Sequence, residues 1–114
     1  MDLEKAADAH TQWRIKFRTA IDAKQTLDDR AIACDDQCEL GRWLHGDGKS
    51  KHSAKPQFQA LVAAHKQFHV VAGRVANTIN AGRTSDAEAM LSGAFQAQSR
   101  ETISAIRAAR VACV

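Results

Sequence analysis

The chain has no tyrosine, one proline and six glycines in 114 residues. So little proline and glycine excludes collagen-like repeats and low-complexity segments. Aromatic residues make up 5%, too few to interleave with basic side chains as a stacking platform for single-stranded nucleic acid. No run of ~18 apolar residues occurs, so no membrane insertion is expected. Alternating β-branched runs are absent, which argues against a sheet. The opening Met1-Asp2-Leu3-Glu4-Lys5 has no apolar stretch behind a basic start, so no secretory leader is expected. What is present is 45% hydrophobic and 25% charged. That balance suits one ordinary globular domain, and residues 1–114 read as a single one.

The net charge is only +3. The densest basic cluster, Lys49-Ser50-Lys51-His52 with Lys55, reads as a solvated loop, and no nucleic-acid partner is expected. Three cysteines without a leader predict a reducing, cytoplasmic setting rather than a disulfide framework. A cysteine that matters there is more often a metal ligand or a reactive thiol.

Three long helices are predicted. Residues 2–24 carry Leu3, Ala6, Ala7, His10, Trp13, Phe17, Ala20 and Ile21 on one face, mostly three and four apart. Residues 56–80 repeat the pattern with Phe58, Leu61, Val62, His65, Phe68, His69, Ala72, Val75, Ala76 and Ile79. Gly82 is the expected stop. A third long segment opens at Ser85-Asp86-Ala87-Glu88, which has the form of a capping box. It continues through Leu91, Phe95, Ile106 and Ala109. Residues 25–55 predict one short helix around Cys38–Leu44, with Asp35 as its N-cap, between loops. The expected architecture is therefore all-α: a small antiparallel, four-helix-type bundle of three long helices and a short one. Alanine-rich helices of this length leave a thin core. A bound metal or a partner subunit would stabilise it.

The histidines occupy unusual places. His10 lies in the first apolar stripe. His65 and His69, four apart, project from one face of the second. One histidine on an apolar face is most often a core residue with one hydrogen-bonded partner. Three on the same core would each cost roughly a few kcal/mol if left without partners. Zinc takes neutral imidazole nitrogen and thiolate sulfur in a tetrahedron. His65 and His69 can grip one ion from a single turn, and His10 adds a third ligand. Cys38 adds a fourth, its thiolate favoured by the start of the short helix.

Three stretches carry a family resemblance. They are Ala9-His10-Thr11-Gln12-Trp13, Cys38-Glu39-Leu40-Gly41-Arg42-Trp43 and Ala64-His65-Lys66-Gln67-Phe68-His69. In order and separation, over residues 6–80, the chain resembles the chemoreceptor zinc-binding domain family. The Cys-x-Leu-Gly-x-Trp stretch is the most specific part. The resemblance implies a zinc ion held by His10, Cys38, His65 and His69. It also implies a bacterial cytoplasmic sensor, not an enzyme, and often a homodimer. Such a sensor acts on a chemoreceptor signalling region or a diguanylate cyclase, as an attached output domain or a separate protein. It responds to zinc or to oxidants such as hypochlorous acid through the zinc-bound cysteine, which makes Cys38 the expected redox switch.

The remaining candidates have simpler roles. Cys34 reads as a loop bystander, with a resolving thiol as the alternative. Cys113 reads as structural or incidental, and His45 and His52 as exposed. Trp13 and Trp43 are expected to pack at the metal-site edge, and Gly41 to permit a close approach. Asp35 and Asp36 read as caps or as acceptors for an imidazole N–H. Two alternatives stand beside the sensor: a structural zinc staple in an interaction module, and a metal-dependent helical-bundle enzyme. The enzyme reading lacks inward carboxylates for a di-iron site. It would also need an open position on the metal.

Overall fold

The structure, a computed structural model, describes residues 1–113. Helix α1 spans Leu3–Ala23, and the Asp2 side chain caps it by accepting from the Lys5 N–H. Helix α5 spans Pro56–Asn80, with the one proline in its first turn, where no backbone donor is needed. It stops before Gly82, which takes a φ of 75°. These two helices match their predicted stripes.

The third stripe is divided. Helix α6 spans Thr84–Ser92 and α7 spans Ala94–Ala112, with Gly93 at φ −111° and ψ −107° between them. The predicted capping box at Ser85 does not form. The cap position falls two residues earlier, at Arg83, and no side chain caps the helix.

Residues 25–55 hold three short helices rather than one: α2, Asp29–Ala33; α3, Glu39–His45; and α4, Asp47–His52. This stretch runs down α5 in steady antiparallel order. Leu27 exchanges hydrogen bonds with the Asn80 side chain, and Asn77 donates to Asp29. Ala33 lies against Gly73, Ile32 accepts from His69, Cys38 meets His65, and Trp43 packs on Phe58. The broken stretch is thus the second leg of an antiparallel four-leg bundle measuring 43 × 21 × 19 Å. The chain is all-α, and no strand occurs among the described residues.

The apolar interior falls into two clusters. One gathers the start of α1 (Leu3, Ala7), α3 (Leu40, Leu44), the start of α5 (Phe58, Leu61) and the end of α7 (Ile106, Ala109). The other gathers Phe17, Phe68, Val71, Val75, Leu91 and Phe95. There Phe95 packs on Phe17 and Phe68 with ring centroids 5.3 and 5.5 Å apart. Burying each such ring stabilises by ~1.5–3 kcal/mol. Helix α7 is tied to α5 by a polar contact. Thr102 is fully buried, and its hydroxyl and the Gln98 amide both lie within hydrogen-bonding distance of the Ala64 carbonyl. No helix among the described residues is long and apolar enough to cross a membrane.

Candidate metal centre

Between the two apolar clusters lies a polar layer. His10 from α1 and His65 and His69 from α5 are all buried, at 2%, 0% and 3% exposure. Cys38, half-buried, reaches them from the start of α3. One donor atom from each of the four residues lies within 4.8 Å of all the others. The Cys38 sulfur is 3.2 Å from His65 Nε2 and 3.6 Å from His69 Nε2. The two Nε2 atoms are 3.0 Å apart. A tetrahedral ion with nitrogen at about 2.0 Å and sulfur at about 2.3 Å has edges of about 3.3 Å and 3.5 Å. The three separations among Cys38, His65 and His69 come within about 0.3 Å of such edges, and His10 lies within 4.8 Å of the other donors.

Local structure aims each group. His10 Nδ1 donates to the Ala6 carbonyl one turn back, at 2.7 Å. His69 Nδ1 donates to the Ile32 carbonyl of α2, at 2.8 Å. A carbonyl only accepts, so both rings carry the proton on Nδ1 and turn an unprotonated Nε2 inward. His10 Nε2 is buried and has no hydrogen-bond partner in the protein. Two bare imidazole nitrogens and a third beside them are an unfavourable assembly alone and a good one around a cation. Burial keeps all three imidazoles neutral, the form that binds metal. It lowers the pKa of His10 and His69, and the neighbouring imidazoles help lower that of His65 to about 3.

Cys38 is its own helix cap: its sulfur accepts from the Gly41 N–H at 3.3 Å. Asp35 does not cap the helix. Its carbonyl instead lies so close to Gly41 that a Cβ there would sit 1.8 Å away. Only glycine lets the chain before Cys38 fold onto α3. Burial pushes the Cys38 thiol up, and the N–H groups of Gly41 and Leu40 offset only part of that. The helix start favours the thiolate, as expected, but burial outweighs it. A cation beside the sulfur would yield the thiolate.

The family model for the chemoreceptor zinc-binding domain matches residues 10–76. The chain belongs to this family. The matched span begins at His10 and takes in all four residues of the cluster. No curated protein and no solved structure matches the chain. Family membership and the donor set agree on zinc as the cofactor.

Other expectations divide. Trp13 packs on Phe17 and lines an opening of about 240 Å³ beside Cys38 and His69, at the edge of the cluster. Trp43 does not reach the cluster. Its ring packs on His52 and Phe58 and seats α4 on α5. His52 is accordingly half-buried rather than exposed. His45 is exposed and pairs with Asp35 at 3.3 Å. The acceptors that orient His10 and His69 are backbone carbonyls, not Asp35 or Asp36. Sequence reasoning missed them because every residue carries a carbonyl.

Proposed function

We propose that this domain is a bacterial, cytoplasmic zinc-binding sensor in which His10, Cys38, His65 and His69 hold the ion. The observation that carries the reading is the asymmetry of the cluster. Three buried imidazoles are set on the long helices. The one sulfur is half-buried on the broken leg, beside an opening. Bound zinc would supply a cross-link between the legs and hold Cys38 as a thiolate.

Cys38 is the switch. It is the one ligand a two-electron oxidant can convert to a group with no negative charge. Its loss would free α2 and α3 from α5, a local chemical change with a conformational readout. The free thiols of Cys34, Cys38 and Cys113 suit a reducing cytoplasm. The domain pairs with a second copy and passes its state to a chemoreceptor signalling region or a diguanylate cyclase.

Zinc content and X-ray absorption test the site on wild type and Cys38→Ser. The expected result is one zinc per chain with one sulfur and three nitrogen neighbours, the sulfur absent in the variant. Titration with hypochlorous acid should then release zinc from the wild type as Cys38 is modified. Retention of zinc after Cys38 is oxidised would reduce the site to a structural staple.

A further inference from the structure

Cys34 is the last residue before the turn that leads to Cys38. It is exposed, and its thiol rests on the Arg30 carbonyl at 3.3 Å. Cys34 and Cys38 line the same opening, together with His69 and Trp13. An oxidant that reaches Cys38 through that opening meets Cys34 at its edge. Only Asp35, Asp36 and Gln37 separate the two cysteines, and they form turns. The Asp35 carbonyl lies against Gly41 and folds this turn back onto α3. A disulfide needs its Cα atoms only ~4.4–6.8 Å apart, and three intervening residues folded back in this way allow such an approach. Cys113, at the end of α7, packs on the same apolar cluster as Cys38 but does not line that opening.

We propose that Cys34 is the resolving thiol for Cys38, so that oxidation ends in a Cys34–Cys38 disulfide rather than an over-oxidised Cys38. This rests on the proposed role of Cys38 as the oxidised ligand. In the first step the Cys38 thiolate attacks the oxygen of hypochlorous acid. An S–O bond forms, the O–Cl bond breaks, and chloride leaves, giving the sulfenic acid. In the second step the Cys34 sulfur attacks the Cys38 sulfur. The S–S bond forms, the S–O bond breaks, and the leaving hydroxide takes the Cys34 proton as water. The pair loses two electrons, and the oxidant becomes chloride. The new bond draws the Cys38 sulfur away from His65 and His69 and removes the acceptor of the Gly41 N–H. A thiol reductant reverses it, whereas a sulfinic acid would be permanent.

Trypsin cleaves after Arg30 and Arg42, so one peptide, Ala31–Arg42, carries both cysteines. The experiment treats zinc-loaded wild type, Cys34→Ser and Cys113→Ser with two equivalents of hypochlorous acid per chain, because a sulfinic acid consumes one more equivalent than a sulfenic acid or a disulfide; it then alkylates without reduction and weighs that peptide while following released zinc. Wild type and Cys113→Ser should give the peptide lighter by two hydrogens and unalkylated, with dithiothreitol restoring both thiols and zinc binding. Cys34→Ser should release zinc but end with Cys38 as the sulfinic acid, and dithiothreitol should not restore it. Sulfinic Cys38 beside an alkylated Cys34 in the wild type would overturn this proposal and leave the switch role of Cys38 standing. Unmodified Cys38 with zinc retained, at doses that oxidise Cys34, would overturn both.

Discussion

His65 and His69 stand at the middle of a 25-residue helix, and His10 stands on a 21-residue one. Cys38 stands at the cap of a seven-residue helix, in a leg broken into three short helices. The histidine helices are held by apolar clusters above and below the site. The cysteine leg is made of short helices that put only a few side chains into those clusters, Ile32 from α2 and Leu40 and Leu44 from α3, with His69 to Ile32 and Ala33 on Gly73 tying α2 to α5. The same ion site is thus built from three rigid anchors and one attachment with little core of its own. Elements with few buried apolar contacts open locally at low free energy. A metal–sulfur bond at that attachment therefore controls a region that the long helices do not.

The comparison breaks most severely at His69, which belongs to both regions. His69→Ala removes a ligand and the donor that holds α2 through Ile32. Zinc affinity should fall by more than the ~10–100-fold that follows loss of an outer hydrogen-bond partner. Stability should fall by ~2–5 kcal/mol, as for a large buried side chain cut to alanine, with or without zinc. Denaturant unfolding of both forms measures this.

Cys38→Ser should behave differently. A serine hydroxyl is a good N-cap and can still accept from the Gly41 N–H. Stripped of zinc, the variant should unfold within ~0.5 kcal/mol of wild type. With zinc, a hundredfold loss of affinity should appear as a deficit of ~2.7 kcal/mol at saturating metal. Hydrogen exchange should localise the deficit to α2 and α3 and leave α5 and α7 protected. Equal losses in the two forms would mean that the thiol is a packing residue.

The legible and illegible parts of the molecule follow the same division. α1 and α5 were readable because a long stripe repeats its signal over many turns, and the three histidines sat in those stripes. Cys38 was found by its motif and its role beside a helix start. The broken leg was not readable in detail. Helices α2 and α4 have five and six residues, too short for periodicity to register. They exist because α5 offers a surface to dock on. Gly93 inside an otherwise helical stripe marked the break between α6 and α7, but a lone glycine in such a pattern is often tolerated. Arg83 rather than Ser85 ended up at the start of α6 because the turn after Gly82 sets the entry, and tertiary context overrode the capping signal.

Gly41→Ala tests the attachment without touching a ligand. The new Cβ would meet the Asp35 carbonyl at 1.8 Å, so the turn before Cys38 must move. Overpacking of this kind costs ~1–3 kcal/mol. The loss should be confined to the broken leg and should weaken zinc binding through displaced sulfur. Unchanged zinc affinity, measured by competition with a chelator, would show that Cys38 reaches the site from more than one backbone position.

The smallest effect is expected where the two regions do not meet. Thr102 is buried between α5 and α7, and its hydroxyl lies 2.8 Å from the Gln98 carbonyl and 3.2 Å from that of Ala64. Thr102→Val removes one buried hydrogen bond, worth ~1 kcal/mol. The Ala64 carbonyl keeps the Gln98 amide at 3.1 Å, so no acceptor is stranded. Ala64 precedes His65 in sequence, yet the histidine is set by the helix and by its apolar neighbours rather than by this contact. Zinc affinity should therefore stay within ~2-fold of wild type while stability drops, because the loss is shared equally by the zinc-bound and zinc-free chains. A larger change in affinity would mean that α7 helps to position the His65 ring, and that the rigid anchors rest on three helices rather than two.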